Sequence, residues 1–473
     1  MPPTQLPVLV VYDVWHIIIA MLCERRRRPG DDDESGYDSD YDSNYDPHEP
    51  EPEYWRPKKI ARLFPHVHAL IRLSSTCKGL RNLLAPRIFN TLYLRNTTKS
   101  ALSVQAVADG DYAHCVKTLR YVGICELDQR ESPLEEVYPP ELDRVLSNLP
   151  ALFSNLHHLA VDFPYDDELA ERWSEEFCDE FEGTEQIALA GEKSSTWTSN
   201  QIPSFEIRHL NFANISTFYT DEFHSFLSRL ESFTLSIKPF ENGGGWAFNT
   251  SNFFPGFADC LVPWFLSNRG SVEEFTFDSS HTSPLGSGNI FQAYPHDIGL
   301  RYAEMRSLRV LTLGNIVICP ELQDFLSRHL GTLRSITLQE CYAIEPSDRN
   351  HPDAYAWRHF FPPLTEALAE VRKEDPSVGP TKFNVIYNKT PAKMLRLEDP
   401  PRYTDANLIA RAKAKLAMEH KGPSMFYGDV DQKYGGLFHK TTTSLEEFLY
   451  GDDETEYRRF MAVVQRGTVV RGK

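Results

Sequence analysis

A chain of 473 residues with 41% hydrophobic and 12% aromatic content can bury a large core, and its length predicts roughly two to four domains or one elongated repeat array. Its formal charge of −18 excludes a nucleic-acid backbone as the main partner, because that role needs a basic face. The eight cysteines, at 23, 77, 115, 125, 178, 260, 319 and 341, hold no CxxC pair, which argues against a zinc ribbon or a disulfide framework and predicts reduced thiols in an intracellular protein.

The first apolar stretch is "VLVVYDVWHIIIAMLC", Val8 to Cys23. It has only 16 residues, carries Asp13 and His16, and follows no basic residue, whereas a spanning helix needs about 20 apolar residues. It is read as a buried helix, and no membrane role is expected. Residues Arg25 to Lys59 follow, with eleven acidic residues, repeated Tyr-Asp-Ser phrases and several prolines but no apolar period. Such a segment cannot offset the entropy of ordering and is expected to be a disordered insertion, with Arg25 to Arg28 a solvated charge run.

From Leu70 to Leu84 the spacing predicts one amphipathic helix, ended by Pro86. It runs into "FNTLYL" (89–94), the first of eight phrases with apolar residues at positions one, four and six. The others begin at Leu119, Leu156, Ile207, Leu230, Val272, Leu308 and Leu333, at spacings from 23 to 51 residues. The short spacings match leucine-rich-repeat length, and the long ones require insertions.

Helices are predicted ahead of two of these phrases: "YTDEFHSFLSRL", opened by Thr220 and Asp221, and "CPELQDFLSRHLG", opened by Pro320. In "LTL" and "ITL" the outer residues point to one face of a strand and the threonine to the other. Units of helix, turn and strand cannot bury their apolar faces alone, so neighbours must stack. Asn96, Asn214, Asn315 and Cys341, just past the phrases, suit backbone-satisfying roles at turns. The fold class predicted is α/β, an irregular leucine-rich-repeat solenoid over 86–390 with parallel strands and outer helices.

Between two phrases lies an aromatic insertion, Pro239 to Phe257. Its Trp246, Phe248, Phe253 and Phe254 are the first candidates for substrate contact, because exposed aromatics on repeat loops act as hot spots; packing onto the repeats is the competing role. "ENGGGWAF" (241–248) lacks the Lys-Ser/Thr of a phosphate loop. The GxSxG, HExxH, GxxxxGK[ST] and GxGxxG signatures do not occur, so no catalytic residue, metal ligand or cofactor is assigned. His66/His68 and His157/His158 diverge in helix and strand and do not converge on one ion. Residues 391–473 carry fourteen Lys/Arg against twelve Asp/Glu, a shift from the acidic remainder that predicts a mixed tail with a basic helix over Thr404 to Lys421.

With the repeats in view, "LIRLSSTCKGLRNLL" (70–84) resembles the second half of an F-box, and "VVYDVWHIIIAML" (10–22) resembles its first helix, with Asp13 at the acidic position. The segment 6–85 thus looks like an F-box split by the acidic insertion 25–59. "LRSITLQECYAIEPSDRNHPDAYAWRHFFPPLTEAL" (333–368) further resembles the terminal repeat of F-box proteins from filamentous fungi. The resemblance implies binding to the Skp linker subunit of a cullin-RING ubiquitin ligase. Val14, Ile18, Ile19 and Leu22 of the first helix and Leu73, Cys77 and Leu80 of the second would form the linker-binding face. It also implies an unidentified protein substrate on the repeats, no bond chemistry in this chain, and a cytoplasmic or nuclear location. The alternative is a repeat scaffold with a degenerate F-box and no ligase role.

Overall fold

A computed structural model describes residues 65–122, 139–163, 202–210, 215–238, 253–267, 269–280, 285–286, 298–344, 355–398, 405–418, 423–430 and 437–471. The chain divides into two compact units, Met1–Asn90 and Thr91–Lys473.

In the smaller unit, α1 (Pro65–Ser74) and α2 (Lys78–Ile88) form a helical hairpin. The single helix expected over 70–84 is therefore two. The hydroxyls of Ser74, Ser75 and Thr76 donate to the carbonyls of Ile71, Arg72 and Leu73 at 2.7, 2.7 and 2.8 Å, which closes the last turn of α1. Cys77 then adopts extended backbone, and its sulfur accepts the Leu80 N–H at 3.5 Å, capping α2. Pro86 does not end α2 but lies inside its last turn. Leu70 and Leu84 are buried at the hairpin core, with Leu73, Leu83 and Ile88 packed against them.

The larger unit is α/β. In chain order it contains β1 (Thr91–Arg95), α3 (Thr98–Ala108), β2 (Thr118–Val122), α4 (Pro140–Ser147), α5 (Leu149–Leu152), β3 (His158–Asp162) and β4 (Ser204–Leu210). Then come α6 (Asp221–Leu227), β5 (Ser232–Ile237), α7 (Phe253–Leu261), a π-helical turn (Val262–Leu266), β6 (Glu274–Asp278), β7 (Val310–Gly314), α8 (Pro320–His329) and β8 (Ser335–Gln339). The remainder is β9 (Ala343–Ile344), α9 (Trp357–Glu374), β10 (Lys382–Ile386), α10 (Pro391–Met394), α11 (Ala406–Ala417), β11 (Tyr427–Val430), β12 (Leu437–His439), α12 (Thr441–Tyr450) and α13 (Asp452–Arg471).

Nine strands form one parallel sheet in the order β1-β2-β3-β4-β5-β6-β7-β8-β10, so each new strand pairs with the one before it. Parallel neighbours require crossovers, and the helices supply most of them. Thr220 caps α6, its hydroxyl accepting the Phe223 N–H at 3.3 Å, and Pro320 opens α8, both as the sequence indicates. Along six of the strands one alternate set is buried: Leu119 and Tyr121, Phe205 and Ile207, Phe233 and Leu235, Phe275 and Phe277, Leu311 and Leu313, Ile336 and Leu338; β3 buries Leu159, Ala160 and Val161 together. Helix side chains complete this core, with Phe205 meeting Phe226 of α6 at 5.3 Å and Phe233 meeting Phe265 at 6.1 Å.

Six of the eight phrases sit in the expected register, and two slip. Leu119 pairs with Leu92, so the unit on β2 begins at Val116 rather than Leu119. Phe205 pairs with Leu159, so the unit on β4 begins at Ile202 rather than Ile207. In both places two overlapping frames satisfy the apolar pattern, and strand pairing selects the earlier one. A bulge after Ile207, where His209 takes φ 54°, carries the later frame off the ladder. A ninth unit escaped the pattern: Phe383 of β10 pairs with Ile336.

Asn315, at φ 53°, turns the chain after β7, and its side-chain amide donates to Asp278 at 2.9 Å. The Cys341 thiol reaches the Leu313 carbonyl of the neighbouring strand at 3.5 Å. Asn96 is buried, and Asn214 lies outside the described residues.

The C-terminal segment, expected as a separate tail, shares a core with the last strands. Val317 and Tyr342 pack with Met394, Leu395, Ile409, Ala412, Phe426, Leu445 and Phe448. The basic helix α11 is capped by Asp405, whose carboxylate accepts the Asn407 N–H at 2.8 Å, and it buries Ile409 and Ala412. A polar clasp fastens α12 and α13 here. Asp453 accepts the Arg358 N–H at 2.9 Å and the Tyr427 hydroxyl at 2.8 Å, and Arg358 pairs with Glu447 at 2.9 Å.

Burial pushes the Asp453 carboxyl up to about 7 from the ordinary 3.8. A group raised on folding favours the folded state while protonated, so the Asp453 contribution is fully present below about pH 4 and is lost as pH rises through 7. Unfolding midpoints measured from pH 5 to 8.5 are expected to decline between pH 5 and about 7 in the wild type and level off above that, and to lose that decline in Asp453→Asn. A second test concerns Gly314, where an added Cβ would lie 2.3 Å from Asp278 Oδ1. Gly314→Ala is expected to cost about 1–3 kcal/mol in urea titration.

Candidate interaction surfaces

Because buried residues occupy alternate positions, the other alternate set faces away from the helices. The strand registers align this second set into rows. The central row reads Tyr93, Arg120, Ala160, Glu206, Thr234, Thr276, Thr312, Thr337, Asn384 from β1 to β10. The face is polar, and its two ends differ in chemistry.

At the β1–β4 end the side chains are bonded to one another. Arg120 lies over the Tyr93 ring at 6.0 Å. His158 contacts the Ser204 hydroxyl through Nδ1 at 2.8 Å and Glu206 through Nε2 at 3.2 Å, while Arg208 Nε stands 2.6 Å from the other Glu206 oxygen. Burial alone would raise the Glu206 pKa, but the hydrogen bonds and charges of His158 and Arg208 overcome it and hold the carboxyl at about 2. His209 pairs with Asp162 at 2.9 Å. A serine–histidine–carboxylate chain has the connectivity of a nucleophile with its base. The Ser204 N–H, however, is bonded to the His157 carbonyl at 3.2 Å, as parallel pairing dictates, and does not face the hydroxyl as an oxyanion donor. The arrangement therefore braces β3 against β4.

At the β5–β10 end the row changes to Thr234, Thr276, Thr312, Thr337 and Asn384, all at least partly exposed. Among the described residues none of these five side chains hydrogen-bonds to another protein group. Hydroxyls elsewhere are engaged in caps and turns, as with Ser74, Thr220, Ser267 and Thr390. The sequence announces the outward threonines in the phrases "FTL", "FTF", "LTL" and "ITL". What composition did not announce is that pairing sets them side by side.

The second surface belongs to the hairpin. Leu73 and Leu80 are half-buried, Cys77 is exposed at the start of α2, and the Cys77–Leu80 contact is the helix cap itself. Ile71, 45% exposed on α1, is an apolar side chain that spacing did not single out. Val14, Ile18, Ile19 and Leu22 lie outside the described residues, as do Trp246 and Phe248. Phe253 and Phe254 begin α7, and Phe257 of that helix is buried against Trp264 at 6.1 Å. That helix adjoins the turn whose Phe265 packs on the buried face of β5, so it stands on the helical side of the sheet, opposite the threonine row.

Among the described residues no His, Cys, Asp and Glu grouping could hold a metal ion, and no helix is long and apolar enough to cross a membrane. No protein-family model and no curated protein matches this chain.

The brace yields a signed prediction. A carboxyl held low on folding stabilises the protein above its unfolded pKa and loses that contribution as pH falls from about 4.5 toward 2. Acid unfolding followed by circular dichroism is expected to begin at higher pH in Glu206→Gln than in the wild type, with a shallower slope across that window.

Proposed function

We propose that this chain is a substrate-recognition adaptor of an SCF-type cullin-RING ubiquitin ligase. The F-box-like segments at 10–22 and 70–84 bind the Skp linker subunit, and an irregular leucine-rich-repeat solenoid holds a protein substrate. The reading is carried by one observation: in the sequence, F-box-like residues stand directly ahead of nine parallel strands laid down in chain order, with one mostly polar face that the described helices do not cover. Terminal elements that differ from the repeats suit the closing of such an array, and α9 to α13 play that part.

The adaptor performs no bond chemistry. Holding a substrate beside a charged ubiquitin-conjugating enzyme raises the effective concentration of its lysines, and the reacting groups lie in other subunits. Ile18, Ile19 and Leu22 with Leu73 and Leu80 give the linker an apolar face, and Val14 and Cys77 border it. The substrate lies on the outward strand face, because the row from Thr234 to Asn384 presents polar side chains there that no described residue bonds. The assembly works in the cytoplasm or nucleus.

Co-purification of the recombinant Skp linker with the full chain tests this reading. Wild type is expected to retain the linker at micromolar concentration. Ile18→Asp and Leu80→Asp should each weaken it by about a hundredfold or more, because each buries a charge without a partner. A wild-type chain that fails to retain the linker removes the ligase role and leaves a repeat-based interaction scaffold.

A further inference from the structure

The threonine row has a chemistry of its own. Thr234, Thr276, Thr312 and Thr337 are paired neighbour to neighbour through four adjacent strands, and Asn384 continues the row on β10. Their side chains present donors and acceptors that no described protein group takes up. Threonine is β-branched and stiff about χ1, so each hydroxyl is held in place at little further entropy cost on binding. Adjacent strands are about 4.8 Å apart, so five positions span roughly 19 Å, the length of about six residues of extended chain.

The row carries no formal charge, in a chain where 25% of residues are charged. The nearest carboxylate along it, Glu206, is already bonded to His158 and Arg208. The row before it reads Ser232, Glu274, Val310, Ser335 and Lys382, with its two charges on separate strands, and Asp278 in the row after it receives the Asn315 amide. A charged ligand group laid on the threonines would lose water without a counter-ion in that row, and the flanking Glu274 and Lys382 stand at separate strands to its side. Hydroxyls serve either partner of a peptide group, because each can donate and accept.

From this geometry we infer that the row is a binding track for an extended, uncharged polypeptide segment of about six residues, recognised through its peptide groups and its hydroxyl or amide side chains. The inference rests on reading the open strand face as the substrate side, and it names the class of substrate segment. The charged end at β3–β4 is closed on itself and bounds the track.

The probe is a random dodecapeptide library displayed on phage and panned against the full-length chain. The recovered sequences are expected to carry an uncharged stretch rich in Ser, Thr, Asn and Gln. Their synthetic peptides should bind with little change between low salt and about 0.5 M NaCl. Thr276→Val/Thr312→Val, which keeps shape and branching, should weaken binding about tenfold or more through loss of two hydroxyls. Thr276→Ser/Thr312→Ser should restore it, and matching urea midpoints establish that all three proteins fold alike. A charged consensus whose binding collapses in salt overturns the inference. So does undiminished affinity in the valine variant, absence of any selected peptide, or retention of neutral oligosaccharides in place of peptides. Linker co-purification is read separately, so a linker-competent chain lacking neutral-peptide binding sinks this inference alone, and a linker-deaf chain that selects such peptides sinks only the ligase role.

Discussion

The larger unit depends on one constraint, the two-residue period of a β-strand held in register across nine parallel neighbours. Each strand places Leu, Ile, Phe or Val on one side at alternate positions, and a helix or tight turn covers that side. A one-residue slip in any strand would exchange the two faces, so the core and the outer row are fixed by the same pairing. The open face is therefore a consequence of core packing. Its chemistry follows from whichever residues occupy the free alternate positions.

Those positions divide the face in two. On β1 to β4 they hold Arg, His, Glu and Asp, which bond among themselves, with Glu206 ionised between His158 and Arg208. Such a cluster stiffens the strands and offers few unused groups to a partner. In the central row from β5 to β10 they hold four hydroxyls and an amide that no described residue bonds, and the availability of those groups to a ligand is what distinguishes this half. Beyond β10 the segment from α10 to α13 packs onto the final strands through Tyr342, Phe426 and Phe448, and the Asp453–Tyr427–Arg358 clasp joins it to α9. It extends the core there.

Much of this was legible in the amino-acid order. Six phrases gave strand and face correctly because their second and third apolar positions are the two that strand pairing turns to the core, with no competing apolar frame. The two that slipped, at β2 and β4, contain apolar residues in both frames, so only the partner strand can choose between them. The ninth strand, "KFNVI", alternates with Lys, Asn and Ile and lacks the run of leucines that marks the others. The break between α1 and α2 was written in Ser74-Ser75-Thr76, whose hydroxyls terminate a helix that apolar spacing alone would continue. On the candidate site, large aromatics drew attention to Pro239–Phe257, of which Trp246 and Phe248 lie outside the described residues; the outward threonines, which no described residue bonds, are small and drew none. Outward threonines are visible one by one in sequence, but their alignment is a property of pairing.

The central claim is that two F-box-like segments, 10–22 and 70–84, form a docking surface for a linker subunit while the outward strand face is kept for another protein. Hydrogen exchange of the full chain with and without the Skp linker measures this directly. The account predicts slowed exchange confined to peptides covering 10–22 and 70–84, with the strands from Ser232 to Ile386 unchanged. Slowed exchange on those strands, or none anywhere at saturating linker, contradicts it.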